Sequence, residues 1–158
     1  MLRSCAAITY AMDTLILPNE PLLDEVTSIL DEGRHVTIRT SGNSMLPFIH
    51  GGRDSVELVR DGVVNVNDAV LAKIDNGRYV LHRIILIDGD DVTLMGDGNL
   101  RGTEHCRIGD ISGRVLFIVR ENGKKIDCSA PAFARKVRIW RRLLPLRRYL
   151  LAVYRRLI

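Results

Sequence analysis

The chain has 158 residues, of which 46% are hydrophobic and 27% are charged. This length and composition predict one globular domain with a sizeable core and exclude a disordered chain. Three scattered cysteines do not make a disulfide framework or a zinc site, which favours a reducing compartment. No apolar run is long enough to predict a transmembrane helix, and the first 18 residues make a poor secretion signal. We therefore expect a cytoplasmic protein.

The net charge of +4 is unevenly distributed. Residues 135–158 hold nine of the 23 Lys and Arg residues and no Asp or Glu, so the remainder has 14 basic and 19 acidic residues. This asymmetry predicts an acidic body with a basic tail whose partner is an anionic surface, such as a membrane to which the protein binds peripherally. No nucleic-acid partner is expected, because no recognised DNA- or RNA-binding signature is present.

Residues 1–35 are interpreted as an N-terminal extension followed by a helix over 21–32. Five apolar residues of that segment recur at helical spacing, and Gly33 can end the helix. Alternating apolar and polar residues over 35–40 then predict a strand.

Residues 41–53 predict a loop, because their Gly and Pro content breaks regular structure. The loop nevertheless carries Met45, Leu46, Phe48 and Ile49. Apolar residues in a loop are either buried or form a binding rim, and the sequence leaves both possibilities open.

A series of short strand-like runs follows, separated by turn signals such as Asn76-Gly77 and Asp88-Gly89. This pattern predicts a mainly β catalytic domain over 36–128 and argues against alternating strands and helices. The predicted strands cover 55–59, 69–74, 78–87, 91–95 and 113–119.

Residues 129–158 predict a basic tail of two amphipathic helices, broken before Pro145. The apolar face of this pair either packs on the domain or lies on an anionic membrane, with its arginines at the headgroups. Both possibilities remain open at the level of sequence.

Three short segments carry residues suited to nucleophilic catalysis. Ser44 lies in the Gly-containing run SGNSMLP, His82 in YVLHRI, and Asp97 in the turn GDGN. A serine hydroxyl needs a base to take its proton and N–H donors to stabilise the oxyanion. A histidine on a neighbouring strand can be that base, and a carboxylate on the next hairpin can orient the imidazole.

The three segments resemble the superfamily that contains type I signal peptidases and the self-cleaving domains of LexA-type repressors. SGNSMLP is similar to the nucleophile box of that superfamily, YVLHRI to the strand with the general base, and GDGN to its Gly-Asp-Asn turn. The match in order and spacing covers roughly residues 36–119. A histidine before Arg83 is similar to the Ser-His type of signal peptidase, whereas bacterial signal peptidases have lysine there.

The resemblance implies a LexA/signal-peptidase-like β-rich fold and a serine endopeptidase that acts on a peptide or protein substrate without a cofactor or metal. Ser44 would be the nucleophile and His82 the base, with Asp97 as the first choice for the orienting acid and Glu104 as the second. Met45, Leu46 and Pro47 would bind substrate. The alternative is a catalytically inactive relative of the same fold that binds peptides or acts as a membrane adaptor.

Overall fold

The computed structural model describes residues 6–10, 13–17 and 19–158, with side chains from Glu20 onward. Within these residues the protein is mainly β, as the sequence predicts, with one ten-stranded sheet and three α-helices. No helix among them is both long and apolar enough to cross a membrane.

The elements follow the predicted order along the chain. The helices are α1 (Asn19–Asp31), α2 (Pro131–Arg142) and α3 (Arg147–Leu157), with 3-10 turns at Ile108–Asp110 and Leu144–Leu146. The strands are β1 (Ala6–Tyr10), β2 (Asp13–Leu17), β3 (Val36–Arg39), β4 (Ser55–Val59), β5 (Ala69–Lys73), β6 (Tyr79–Asp88), β7 (Asp91–Met95), β8 (Glu104–Arg107), β9 (Ile111–Val119) and β10 (Lys125–Asp127).

The sheet runs in the order β2-β1-β3-β4-β9-β5-β6-β7-β8, and β10 lies beside β9. Every described pairing is antiparallel. Strand β9 joins the two halves, because it pairs with β4 on one side and with β5 on the other. The hairpin β5–β6 turns at Asn76-Gly77, as predicted. The hairpin β6–β7 turns at Gly89-Asp90, one residue beyond the predicted Asp88-Gly89, because Asp88 still pairs with Asp91.

The core has two parts, one in each half of the sheet. Helix α1 contributes Leu22, Val26, Ile29 and Leu30 to the first part, where they pack against side chains from β3, β4 and β9. The second part consists of buried side chains from β5, β6, β7, β8 and the start of β9. The predicted apolar face of α1 is therefore the face that attaches the helix to the sheet.

Two strands of the body were missed at the level of sequence. In β8 only Cys106 is buried, so the segment lacks the alternation that marks a half-buried strand. Strand β10 has three residues with only its middle residue partly buried, and it is held by pairing with β9. Strands β1 and β2 fall in the segment that we interpreted as an N-terminal extension.

The tail packs on the body, which is the first of the two arrangements that the sequence left open. Val137 of α2 and Leu151 of α3 are buried, and the helices are separated by the predicted break. Pro145 lies in the 3-10 turn between the helices and does not begin the second helix itself.

The core predicts the effect of one truncation. Leu58 on β4 is fully buried, so Leu58→Ala should leave a cavity and lower the free energy of unfolding by about 2–5 kcal/mol. Leu86→Ala is the matched control, because Leu86 is 55% exposed and its removal should cost little. Urea unfolding measures both variants, and equal stabilities would contradict this account of the core.

Candidate active site

The loop that carries Ser44 is closed at its base by backbone hydrogen bonds. The Thr40 N–H donates to the Asp54 carbonyl (3.0 Å), and the Gly52 N–H donates to the Thr40 carbonyl (2.7 Å). Gly42 has a φ of +75°, a conformation that favours glycine. A methyl group on Gly51 would lie 1.8 Å from the Gly42 carbonyl oxygen, so the two ends of the loop are in close backbone contact.

The turn after β7 holds the same loop from the other side. The Gly98 N–H donates to the Ser44 carbonyl at 2.7 Å. A methyl group on Gly96 would lie 2.5 Å from that carbonyl oxygen, and one on Gly98 would lie 2.7 Å from the Asn43 carbonyl oxygen. The glycines of the GDGN motif are thus needed for close approach to the loop, which fixes the backbone at Ser44.

Ser44 itself is half-buried. Its backbone N–H donates no hydrogen bond within the described part of the chain. A free N–H at the nucleophile position is suited to an oxyanion, which needs a donor that is already fixed in place.

His82 is buried on β6 and its ring is held by a carboxylate. The His82 Nδ1 atom lies 2.8 Å from Glu104 Oε2, and the side chain of Glu104 is 23% exposed. A carboxylate at Nδ1 places the proton of a neutral imidazole on that nitrogen and leaves Nε2 as the acceptor. This is the tautomer that a general base requires.

The register of the sheet explains why Glu104 reaches His82. His82 and Ile84 lie two apart on β6, so their side chains share one face. Leu94 of β7 pairs with Ile84, and Glu104 of β8 pairs with Leu94, so all of these side chains lie on the same face.

Asp97, the first choice for the orienting acid, is not the partner of His82. Its carboxylate accepts two hydrogen bonds from Arg83, at 2.8 Å from Nε and 2.6 Å from Nη2, and both side chains are only 3% exposed. The physical reason is alternation along β6, since neighbouring side chains of a strand point to opposite faces. Of the two acids predicted for this position, the second choice, Glu104, makes the contact.

Ser44 and His82 line the same cleft, which has a volume of about 390 Å³. Its walls combine apolar side chains, among them Leu23, Ile38 and Leu81, with polar and charged groups. Within the described residues the Ser44 hydroxyl makes no hydrogen bond, so Ser44 and His82 line one cleft without a direct hydrogen bond between them. Such contacts are often long in a free enzyme and tighten when substrate binds.

The predicted substrate-binding residues differ in position. Met45 lines the cleft, but Leu46 is 1% exposed and lies in the interior. Pro47 is half-buried, and its carbonyl faces the Tyr154 hydroxyl at 3.5 Å. Only Met45 of the three therefore borders the space that a substrate could occupy.

Two cysteine thiols lie outside the cleft, and burial makes them unreactive. Burial raises the pKa of the Cys106 and Cys128 thiols to about 11, which makes both poor nucleophiles at neutral pH. In the part of the chain that the structure describes, no three or more His, Cys, Asp or Glu side chains are grouped to hold a metal ion.

Comparison of the chain with protein-family models, with curated proteins and with solved structures finds no significant match. The likeness to signal peptidases therefore depends on the three motifs, and the site must be argued from its own geometry.

The contact between the glycine turn and the Ser44 loop can be tested by adding one methyl group. In Gly98→Ala the new methyl group would collide with the Asn43 carbonyl, so the loop or the turn must shift. We expect a loss of about 1–3 kcal/mol in the free energy of unfolding, measured by urea titration.

Gly109→Ala is the matched control, because a methyl group there meets no atom within 4 Å. If Gly98→Ala is as stable as this control, the glycine turn does not restrain the loop.

Proposed function

We propose that the chain is a signal-peptidase-like serine endopeptidase with Ser44 as nucleophile, His82 as general base and Glu104 as the acid that orients His82. The observation that carries this proposal is the 2.8 Å contact between His82 Nδ1 and the Glu104 carboxylate, on the wall of the cleft that Ser44 also lines. A base, its orienting acid and a serine in one cleft are the parts that acyl transfer needs.

In the proposed reaction, His82 Nε2 takes the proton of the Ser44 hydroxyl as its oxygen attacks the substrate carbonyl. The Ser44 N–H would donate to the oxyanion of the tetrahedral intermediate. The imidazolium then gives the proton to the leaving amine, and an ester between Ser44 and the acyl group remains. Water, deprotonated by His82, hydrolyses that ester and restores the serine.

Glu104 would contribute by orientation and by charge. It keeps the proton of the neutral imidazole on Nδ1, and its negative charge stabilises the imidazolium that forms during attack. Because His82 is buried and Glu104 is only partly exposed, this charge is poorly screened by water.

The shape of the cleft supports a peptide as substrate. Its lining of apolar side chains together with polar groups is suited to a peptide, which has apolar side chains and a polar backbone. Arg78 and Glu20 lie at the same cleft and could contact the polar backbone or charged groups of a bound peptide.

A second candidate is a non-catalytic module that binds a peptide in the same cleft or serves as a membrane adaptor. The absence of a hydrogen bond from the Ser44 hydroxyl to any described group supports it. The two candidates differ in one property, the reactivity of the Ser44 oxygen.

A fluorophosphonate probe tests that reactivity, since an activated serine oxygen displaces its fluoride and forms a phosphonate ester. We expect labelling at Ser44, located by mass spectrometry of the digested protein. Ser44→Ala should abolish labelling, and His82→Ala should slow it by about 10²-fold or more.

Ser28→Ala and His105→Ala are the matched controls, because both residues are exposed and lie outside the cleft. They should be labelled like the parent protein. A folded parent protein that never reacts with the probe would exclude the endopeptidase and leave the peptide-binding module.

The roles of the two acids can be separated in one comparison. Glu104→Gln should slow labelling by about 10²-fold or more while leaving unfolding nearly unchanged, because it removes the charge that orients His82. Asp97→Asn should lower the free energy of unfolding by about 3–5 kcal/mol, because it leaves the buried Arg83 charge without its partner.

Urea titration and labelling rates measure the two effects. Labelling of Glu104→Gln at the parental rate would remove Glu104 from the proposed site.

A further inference from the structure

The outer surface of α3 carries an apolar stripe that nothing in the described chain covers. It consists of Leu146, Tyr149, Leu150, Val153 and Leu157, which are between 38% and 80% exposed. At about 100° per residue, these five positions fall within an arc about 100° wide. This is the width of a face that normally packs against another apolar surface.

The contacts that hold α3 on the body fix the direction in which the stripe faces. Arg147 and Leu151 are buried on the neighbouring flank of the helix, and the Tyr154 hydroxyl lies 2.5 Å from His50 Nε2. Arg147 also donates from Nη1 to the Asn99 carbonyl at 2.9 Å. Because the helix is held on the body by these contacts, the stripe cannot turn inward without breaking them.

The exposed apolar residues of the protein are concentrated here. Thirteen large hydrophobic side chains are exposed in the described chain, and eight of them lie in residues 139–158. The other five are scattered over the body, as on any soluble surface. A concentration of exposed apolar side chains in one part of a protein is typical of a surface that binds a partner.

The charges around the stripe indicate which kind of partner fits. The exposed basic residues of the tail form no ion pair within the described chain, and no acid is present from residue 129 to the end. These exposed residues are Arg135, Lys136, Arg138, Arg142, Arg148, Arg155 and Arg156. At about 100° per residue, Arg135 and Arg142 lie on the face of α2 opposite the buried Val137, whereas Lys136 and Arg138 lie on its two flanks.

We propose that this surface, formed by α2, the turn at Leu144–Leu146 and α3, binds an anionic phospholipid membrane. The apolar stripe enters the boundary between headgroups and acyl chains, and the arginines contact the lipid phosphates. At about 100° per residue, Arg156 borders the stripe, and Arg148 and Arg155 lie on the opposite side of α3. An exposed helix with one apolar face and uncompensated basic residues on its other faces is the pattern of interfacial helices. Anionic lipids supply the negative charge that the chain itself lacks around the stripe.

Membrane binding would also orient the candidate active site. The Trp140 indole donates to the Asp97 carbonyl at 2.8 Å, and Asp97 lies in the turn that holds the Ser44 loop. The cleft would therefore keep a fixed direction relative to the lipid surface. This inference does not depend on the endopeptidase being active.

The test uses the full chain and vesicles pelleted by centrifugation. We expect the protein to pellet with vesicles that contain phosphatidylglycerol and to stay in solution with pure phosphatidylcholine vesicles. Added salt should weaken the binding, because the arginine contacts are screened. Binding by the parent protein that is equal for both vesicles, or absent from both, would overturn the proposal.

Variants separate the two parts of the surface. Tyr149→Ser, Val153→Ser and Leu157→Ser in one protein should lower binding by about ten-fold or more. Arg148→Gln, Arg155→Gln and Arg156→Gln together should lower binding to the phosphatidylglycerol vesicles, because they remove three positive charges. The matched control is Val63→Ser with Leu86→Ser, two exposed apolar residues of the body, which should bind like the parent protein.

Circular dichroism and thermal unfolding confirm that each variant is folded. Stripe variants that are folded and bind vesicles as tightly as the parent protein would overturn the proposal. Soluble polyglutamate tests for an acidic protein partner. If polyglutamate competes with vesicles for the protein, and if the stripe variants bind it like the parent protein, an acidic protein is the partner and the membrane proposal is overturned.

Discussion

The buried ion pair between Arg83 and Asp97 is the contact on which the other parts of the candidate site depend. Arg83 follows His82 on β6, and Asp97 lies between the two glycines that hold the Ser44 loop. Arg83 also donates to the Asn67 carbonyl and lies over the ring of Phe48. One pair of charges therefore connects the strand of His82, the loop of Ser44 and the glycine turn that holds this loop.

The strands and the loop could be predicted because their patterns are local. Alternation placed β4 and β7 at the observed residues, and turn signals placed the hairpins on either side of β6. Strands β8 and β10 could not be predicted, because pairing with neighbours holds them and their own sequences carry no alternation. Local pattern was sufficient for strands that bury several residues, such as β5, and insufficient for β8 and β10, which bury one residue or none.

The choice between Asp97 and Glu104 shows the limit of motif reasoning in this chain. Both acids follow His82 at distances in sequence that a hairpin can close, and the motif drew attention to Asp97. Which acid meets the histidine depends on the pairing of β7 with β8, and that strand was not recognised. The pairing of Arg83 with Met95 places Asp97, two residues further on, near Arg83, and only the pairing of β7 with β8 brings Glu104 to the face of His82.

The helical tail covers part of the candidate site. Trp140 satisfies the Asp97 carbonyl, and Phe48 packs edge-on against both Phe133 and Trp140. The helices thus complete the layer that covers the buried ion pair. A chain cut after β10 would lose these contacts and would expose to water the aromatic rings and the Asp97 carbonyl that the helices now cover.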